Sequence, residues 1–247
     1  MKNRIRTILR LTFLVAFLSC GVFGAVSVYQ KVTTDKAAER EYESIREEVF
    51  GGETAAAETV EDPGGTTAVV HPYPEGLKKL MQENPDVKGW IQVDGTHINY
   101  PVVSHGDEYQ YFLHKDIYGN YSFAGSIFVD CIQDINKPAF HCLYGHHMKN
   151  STMFRDVERF LDKDYFDAHQ SMRIFTKDRV IELEPVICYH RPEDTELRKV
   201  FDDPADAAEF LSERAERVLE PGNYFLLITC SYFTHNARTY LITREKT

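Results

Sequence analysis

Eight short segments rich in β-branched and aromatic residues constrain the fold of this chain more than any other feature. They are separated by Gly, Asp, Asn or Pro, which is the usual pattern of strands joined by turns. The segments cover residues 90–93, 97–103, 125–130, 140–145, 172–176, 180–189, 224–230 and 239–243. Eight strands of this length predict a mainly β fold that closes, or nearly closes, into a barrel.

Two helices are predicted beside these strands. The segment "PEGLKKLMQENPD" places Leu77, Leu80 and Met81 on one helical face, and Pro85 marks its end. A second helix is expected before the last two strands, because Asp203 is a suitable N-cap and Pro204 suits the first turn. Its predicted apolar stripe comprises Phe210, Leu211, Ala215, Val218 and Leu219.

The N-terminal residues predict a membrane anchor. The basic segment "KNRIRTILR" precedes an uncharged run from Leu11 to Tyr29, which is just long enough to cross a bilayer as a helix. The flanking positive charge favours a cytoplasmic N-terminus. A cleaved signal peptide is the alternative, because "VFG" before Ala25 is a passable cleavage site, but the apolar run is longer than a usual signal core. We therefore expect a single-pass membrane protein whose folded part is extracellular.

The chain is expected to divide into three parts. Residues 1–30 form the basic tail and anchor. Residues 31–70 predict a juxtamembrane helix, with Tyr42, Ile45 and Val49 at helical spacing, followed by a flexible linker rich in Gly, Ala and Thr. Residues 71–247 contain the folded domain.

The net charge and the cysteine content argue against two classes of protein, those that bind nucleic acid and those held together by disulfides. The net charge of −10 argues against nucleic acid as a partner, because phosphate binding needs clustered Lys and Arg. The five cysteines are odd in number and show no CxxC spacing, so a disulfide framework is not expected. At least one free thiol remains to be explained.

Cys230 is the thiol that invites a chemical interpretation. It ends the apolar segment "YFLLITC" and precedes the polar "SYFTHNAR", a position typical of an exposed strand end. A thiol is nucleophilic as the thiolate and needs a nearby cation or base. If the last two strands pair, Arg238 returns alongside Cys230. The alternative is that both residues are structural, because many lone cysteines are small buried residues and most arginines make surface ion pairs.

His146 is the second candidate partner of the thiol. It follows Tyr144 and Gly145 at the end of another short strand, and the adjacent His147 is expected to point elsewhere. A zinc site is the alternative, with His141, Cys142, His146 and His147 as possible ligands. The order of these residues matches no familiar zinc spacing, so we predict no metal.

In this order along the chain, the motifs resemble those of class B sortases. The matching segments are "NPDVKGWIQVDGTHINYPVV", "GSIFVD", "YGHHM…STMF" and "LITCSY…NAR", within residues 84–244. The resemblance implies a cysteine transpeptidase on an eight-stranded sortase-type barrel that needs no cofactor. It implies that Cys230 is the nucleophile, His146 the acid/base and Arg238 the stabiliser of the oxyanion or substrate.

The resemblance also implies substrate-binding residues, namely Leu113, Tyr144 and Ser231. Two departures stand out. Ser231 and Tyr232 follow the cysteine where an acidic residue is common, so any carboxylate partner of the histidine is left open. The segment "DEYQYFLHKD" lacks the Asn that some members place beside the substrate groove.

The partners implied are secreted proteins with a C-terminal sorting signal, of the Asn-Pro-x-Thr type rather than Leu-Pro-x-Thr. The acceptor would be an amine of peptidoglycan or a pilin lysine, and the membrane would be contacted through residues 11–29. Two other functions stay open: a thiol hydrolase or protease of the cell surface, and a non-catalytic anchored surface-binding domain in which Cys230 is structural. A papain-like fold is disfavoured, because there the cysteine precedes the histidine and lies on a helix.

Overall fold

A computed structural model describes residues 2–51, 58–61, 67–70, 73–230 and 237–246. The helices in chain order are α1 (Lys2–Phe50), α2 (Glu75–Glu83), α3 (Lys163–Ala168) and α4 (Pro204–Ala215). The strands are β1 (Glu58–Glu61), β2 (Thr67–Val70), β3 (Val87–Val93), β4 (Asn99–Val103), β5 (Ile127–Val129), β6 (Phe140–Tyr144), β7 (Met172–Thr176), β8 (Val180–Pro192), β9 (Tyr224–Cys230) and β10 (Ala237–Glu245). Short 3-10 helices cover Tyr111–His114, Arg155–Leu161 and Thr195–Leu197.

Strands β3 to β10 form a closed barrel in the order β10-β8-β7-β3-β4-β5-β6-β9. Neighbours pair antiparallel except β4 with β5 and β6 with β9, which run parallel. Each of the eight segments identified in the sequence contributes one of these strands, so the predicted barrel is confirmed. The other two strands, β1 and β2, form a separate antiparallel pair.

Strand β9 shows why the barrel wall near the site is apolar on both faces. Its residues alternate between two hydrophobic clusters: Phe225 and Leu227 belong to the main core. Tyr224, Leu226 and Ile228 belong to a second cluster with α4. Since successive side chains of a strand point to opposite faces, α4 covers the outer face of β9. A strand buried on both sides reads as a continuous apolar run rather than an alternating one.

Helix α4 begins as predicted but ends earlier. The Asp203 carboxylate caps it by accepting a hydrogen bond from the Ala205 amide at 2.8 Å. The helix stops at Ala215, because Glu216 adopts a left-handed conformation with φ 51°. The predicted stripe was therefore wrong at its end: Val218 lies outside the helix and is 84% exposed.

The prediction of a membrane anchor over residues 11–29 is wrong. In the structure this run is one part of α1, which continues without a break into a densely charged stretch that reaches Glu48. Within the parts of the chain that the structure describes, we find no helix with the length and apolar character needed to cross a membrane. The expected single-pass topology is therefore not supported.

The last turns of α1 pack directly on the barrel. Tyr42, Ile45 and Val49 are all buried in the main core, at the helical spacing seen in the sequence. The ring of Tyr42 meets that of Tyr100 on β4 edge to face, with centroids 5.4 Å apart. Much of the predicted linker (residues 52–57 and 62–66) lies outside the described residues, as do residues 71–72 at the predicted start of the folded domain, so the division of the chain near residue 71 stays a prediction.

A buried histidine generates a prediction about stability. His141 on β6 donates from Nε2 to the Lys137 carbonyl at 2.8 Å, and burial lowers its pKa to about 4. An unfolded chain takes up this proton near pH 6.5. Between these values only the unfolded state is protonated at His141, so lowering the pH destabilises the fold. Each pH unit in this window should remove up to about 1.4 kcal/mol of unfolding free energy.

Urea denaturation at pH 7.5, 6.0 and 5.0 would measure this effect in the wild type and in His141→Gln. Glutamine keeps an N–H donor at a similar distance from the backbone but does not titrate. We expect the variant to have a shallower loss of stability with falling pH. Equal slopes in the two proteins would show that His141 does not carry the linkage.

Candidate active site

Three neighbouring strands bring the predicted site residues to one end of the barrel. In the parallel pair of β6 with β9, Tyr144 lies opposite Ile228, and the Gly145 amide donates to the Ile228 carbonyl at 3.1 Å. In the antiparallel pair of β9 with β10, Cys230 lies opposite Arg238. The strand period of two therefore sets Cys230 and Arg238 on the outer face that Ile228 shares with α4.

Gly145 lets the chain leave β6 at this point. A Cβ atom there would lie 2.4 Å from the side chain of Ile127 and 2.7 Å from the ring of Phe154, both buried. Because these packed side chains leave no room, only glycine fits between the strand and the loop behind it. The close approach places His146 directly beyond the strand end.

A single backbone carbonyl orients the His146 ring. Nε2 of His146 lies 2.7 Å from the carbonyl oxygen of Leu113, in the 3-10 helix Tyr111–His114. A carbonyl oxygen can only accept, so Nε2 carries a hydrogen in either protonation state. Nδ1 is then the ring atom that is left to gain and lose a proton.

The surroundings of His146 favour its neutral form. Burial lowers the pKa of His146, and the positive charges of His114 and Arg238 lower it further, while the bond to Leu113 opposes the shift. The ring of His114 stacks on that of His146, with centroids 5.1 Å apart. A protonated His146 is therefore a minority species at neutral pH, and a strong acid when it forms.

Arg238 is held by a carboxylate that the sequence analysis did not identify. Its Nη2 lies 3.5 Å from Oε2 of Glu193, in the segment after β8. The contact is partly exposed, and its contribution to stability is accordingly small. Glu193 therefore pairs with the guanidinium, whereas the carboxylate considered in the sequence was a partner of the histidine. The sequence did contain a signal for this contact: a polar segment follows β8, and β8 pairs with β10, the strand that carries Arg238.

The predicted residues line one cleft of about 170 Å³. His146, Cys230 and Arg238 all contribute to its wall, and so do Leu113 and Tyr144, which the resemblance implied as substrate-binding. Ser231, the third substrate-binding candidate, lies outside the described residues. The structure thus brings five of the six predicted residues to one place; their roles stay predictions.

An aromatic wall, formed by Tyr109, Phe128 and Tyr144, bounds this cleft. The Tyr144 ring stacks on Phe128 at 5.3 Å and meets Tyr109 edge to face at 5.4 Å between centroids. The guanidinium of Arg198 lies 4.3 Å from the centre of the Tyr109 ring, and the buried carboxylate of Asp130 fixes that guanidinium at 2.9 Å. A cation held over an aromatic face restrains the ring and stiffens the wall.

Tyr109 was not recognised from sequence as a wall residue. It falls in "DEYQYFLHKD", the segment in which an Asn was expected and not found. The partners of Tyr109 come from β5, β6 and the segment before α4, so only the folded chain shows what the tyrosine does. Three aromatic residues within four positions, Tyr109, Tyr111 and Phe112, were the signal available in the sequence.

The remaining cysteines differ from Cys230 in their surroundings. Cys230 is half-buried, and Cys142 is fully buried. Burial raises the pKa of the Cys142 and Cys188 thiols, and burial beside Asp130 raises that of Cys131. Thiols with raised pKa values are poor nucleophiles at neutral pH.

The zinc ligands considered as an alternative have separate partners. His147 pairs with Glu158 at 2.7 Å, whereas His146 and His141 bond to different backbone carbonyls. Among the residues described, we find no group of three His, Cys, Asp or Glu side chains arranged to hold a metal ion.

The arrangement suits acyl transfer to and from a thiolate. A half-buried sulfur, an imidazole whose Nδ1 has no hydrogen-bond partner among the described residues, and a guanidinium share one largely apolar cleft. In such a cleft charged groups interact more strongly than in water. Acyl transfer through a thioester needs a nucleophile, a proton donor and a stabiliser of negative charge, and these three kinds of group can supply them.

Similarity to known proteins points in the same direction. No family model matches the chain. Sortase B of Staphylococcus aureus (strain NCTC 8325 / PS 47) is 31% identical over 146 residues, which is 58% of each chain. Sortase B of Listeria monocytogenes is 36% identical over 107 residues, 42% of each chain. The matched region thus spans less than two thirds of the length of these curated relatives.

Solved structures extend the match over the folded part. The crystal structure of Clostridium perfringens sortase B is 30% identical with a TM-score of 0.62; the alignment covers 69% of this chain and 99% of that one. A Staphylococcus aureus sortase B–substrate complex aligns with a TM-score of 0.69, over 87% of this chain and 99% of that one. Its 23% identity supports the fold alone. The identity and coverage of the Clostridium perfringens protein, on a barrel of the same architecture, show that this chain belongs to the class B sortase family.

Proposed function

We propose that this chain is a cysteine transpeptidase that cleaves a sorting signal after threonine and transfers the acyl group to an amine. The observation that carries the proposal is the shared cleft of Cys230, His146 and Arg238 at the end of β6, β9 and β10. Membership of the sortase family supports the same chemistry. The proposal assigns Cys230 as nucleophile, His146 as general acid and base, and Arg238 as oxyanion stabiliser.

The first half-reaction forms a thioester. The Cys230 thiolate attacks the threonine carbonyl carbon, and Arg238 donates hydrogen bonds to the developing oxyanion. One such donor contributes about 3 kcal/mol to transition-state stabilisation. As the carbon–nitrogen bond breaks, Nδ1 of His146 gives its proton to the leaving amine. The enzyme is left acylated at sulfur, with a neutral His146.

The second half-reaction transfers the acyl group. An acceptor amine attacks the thioester carbon and loses a proton to Nδ1 of His146. The carbon–sulfur bond breaks, and the thiolate and the imidazolium are both restored. Atoms and charges therefore balance over one cycle without a metal or nucleotide. Water in place of the amine would give hydrolysis, so the acceptor decides between transferase and hydrolase.

The apolar surface of the cleft is suited to the proline and to the aliphatic parts of an extended peptide, and class B membership supports the Asn-Pro-x-Thr type. The aromatic wall, together with Leu113 and Ile228, offers apolar surface beside the reacting groups. We propose a sorting signal of the Asn-Pro-x-Thr type as substrate. We propose an amine of peptidoglycan or a pilin lysine as acceptor.

Mass spectrometry of the trapped acyl-enzyme tests this proposal. Peptides of the Asn-Pro-x-Thr and Leu-Pro-x-Thr types would be incubated with the protein, with and without an amine acceptor. We expect a covalent adduct on Cys230 that an added amine discharges into a new amide product. Cys230→Ala should form no adduct, and Arg238→Lys should form it about 100-fold more slowly, because lysine cannot present the planar pair of donors.

Cys131→Ser serves as the matched control, since it removes another half-buried thiol and should leave acylation unchanged. A protein that forms no adduct with either peptide, or that labels equally at all cysteines, would contradict transpeptidation and favour a structural Cys230. Adducts released only as the free acid would instead indicate a hydrolase.

The stacked pair of His114 and His146 predicts a change in pH dependence. The active form needs the thiolate together with protonated His146, so the pH profile of kcat/KM should be bell-shaped, with its acid limb set by His146. His114→Gln removes a positive charge that lowers the pKa of His146. We expect that pKa to rise and the acid limb to move to higher pH.

His114→Lys provides the opposite test, because it keeps a permanent positive charge beside the ring. It should move the acid limb to lower pH than His114→Gln does. NMR titration of the His146 ring in both variants measures the same pKa without substrate. Identical titrations in the two variants would refute electrostatic control by residue 114.

A further inference from the structure

The carbonyl of Leu113 is the only described contact that fixes the rotation of the His146 ring through a hydrogen bond. This carbonyl lies in the single-turn 3-10 helix Tyr111–His114, and one short turn has little rigidity of its own. Whatever holds that turn in place therefore sets the orientation of Nδ1, the atom proposed to move the proton.

Two residues ahead of β5 hold the turn from behind. The Ser126 amide donates to the Phe112 carbonyl at 3.1 Å, and the Ser126 hydroxyl donates to the Lys115 carbonyl at 2.9 Å. These bonds clamp the chain on both sides of Leu113. Gly125 packs directly against the Leu113 carbonyl, and together with Ser126 it forms what we call the seat of the turn. The φ of Gly125 is +60°, and a Cβ atom there would lie 2.3 Å from the Leu113 oxygen. Only glycine, which has no Cβ atom, can approach that carbonyl so closely.

A tyrosine of α1 secures this seat. The Tyr42 hydroxyl donates to the Gly125 carbonyl at 2.8 Å and lies 2.9 Å from the Ser126 hydroxyl oxygen. Tyr42 is 3% exposed, and burial raises its pKa, so the hydroxyl keeps its proton at any physiological pH. Buried hydroxyls need such partners, and these partners lie more than 80 positions away in the sequence.

The contacts form a continuous chain from α1 to the proposed acid–base group. Tyr42 fixes Gly125 and Ser126, these fix the turn that carries Leu113, and the Leu113 carbonyl fixes His146. We propose that Tyr42 is a positioning residue for His146, so that the last turns of α1 belong to the catalytic unit. This inference rests on the proposed transpeptidase function.

Tyr42→Phe is the direct test, because it removes the hydroxyl and keeps the ring packed against Tyr100. With a sorting peptide and an amine acceptor, we expect kcat to fall about tenfold, the effect of one hydrogen bond, while KM stays within twofold. Loosening the Leu113 bond removes an influence that raises the pKa of His146. The NMR titration of His146 should therefore shift to lower pH.

Tyr73→Phe is the matched control. The Tyr73 hydroxyl also donates to a backbone carbonyl, that of Thr176, at 2.7 Å. Thr176 lies on β7, which contributes no residue to the cleft. We expect this variant to lose comparable thermal stability with wild-type kcat and an unchanged His146 titration.

Ser126→Ala and the double variant with Tyr42→Phe extend the test. If the two hydroxyls act through one turn, their effects on kcat should be clearly less than additive. A Tyr42→Phe protein whose kcat and His146 titration match those of Tyr73→Phe would overturn the inference. Since the titration needs no substrate, it tests the role of Tyr42 even if the wild type shows no transpeptidation.

Discussion

The side-by-side pairing of β6, β9 and β10 is the constraint on which the candidate site depends. Parallel β6 and β9 end at the same edge of the barrel, and antiparallel β10 starts there. The thiol, the imidazole and the guanidinium therefore meet although they come from distant parts of the sequence. A slip of one residue in the β9–β10 register would turn Cys230 to the opposite face, so the pairing decides the chemistry.

Burial on both sides makes this edge electrostatically unusual. The barrel core fills one face of β9, and α4 with the segment before it covers the other. Charges placed here are poorly screened, and that is why burial and the nearby cations lower the pKa of His146. Burial also raises the pKa of the Cys142 thiol, which lies on β6. The buried Cys142 thiol is therefore a poor nucleophile at neutral pH, and Cys230 lies half-buried at the end of β9.

Local patterns predicted most of the fold and the central residues of the site, because strands, turns and caps are encoded by neighbouring residues. All eight barrel strands and the Asp203 cap follow from such patterns, and the spacing of Cys230 and Arg238 matches a pair of adjacent strands. The missed features are non-local. The contacts of Glu193 and Tyr109 with the cleft join segments far apart in the chain. The anchor prediction, which rested on the length of the uncharged run 11–29, was wrong, because no helix in the described parts of the chain has the length and apolar character needed to cross a membrane.

Tyr42 shows how a residue outside every motif can matter to a site. Packing alone does not require the hydroxyl, since phenylalanine would fill the same place against Tyr100 and avoid burying a polar group. A buried hydroxyl without partners costs about 1–3 kcal/mol, so tyrosine is tolerable here because the Gly125 carbonyl accepts its hydrogen, with the Ser126 hydroxyl oxygen 2.9 Å away. Those partners are the residues that seat the Leu113 carbonyl. The geometry therefore couples the packing of α1 on the barrel to the orientation of the His146 ring, so that a change in the position of one alters the other.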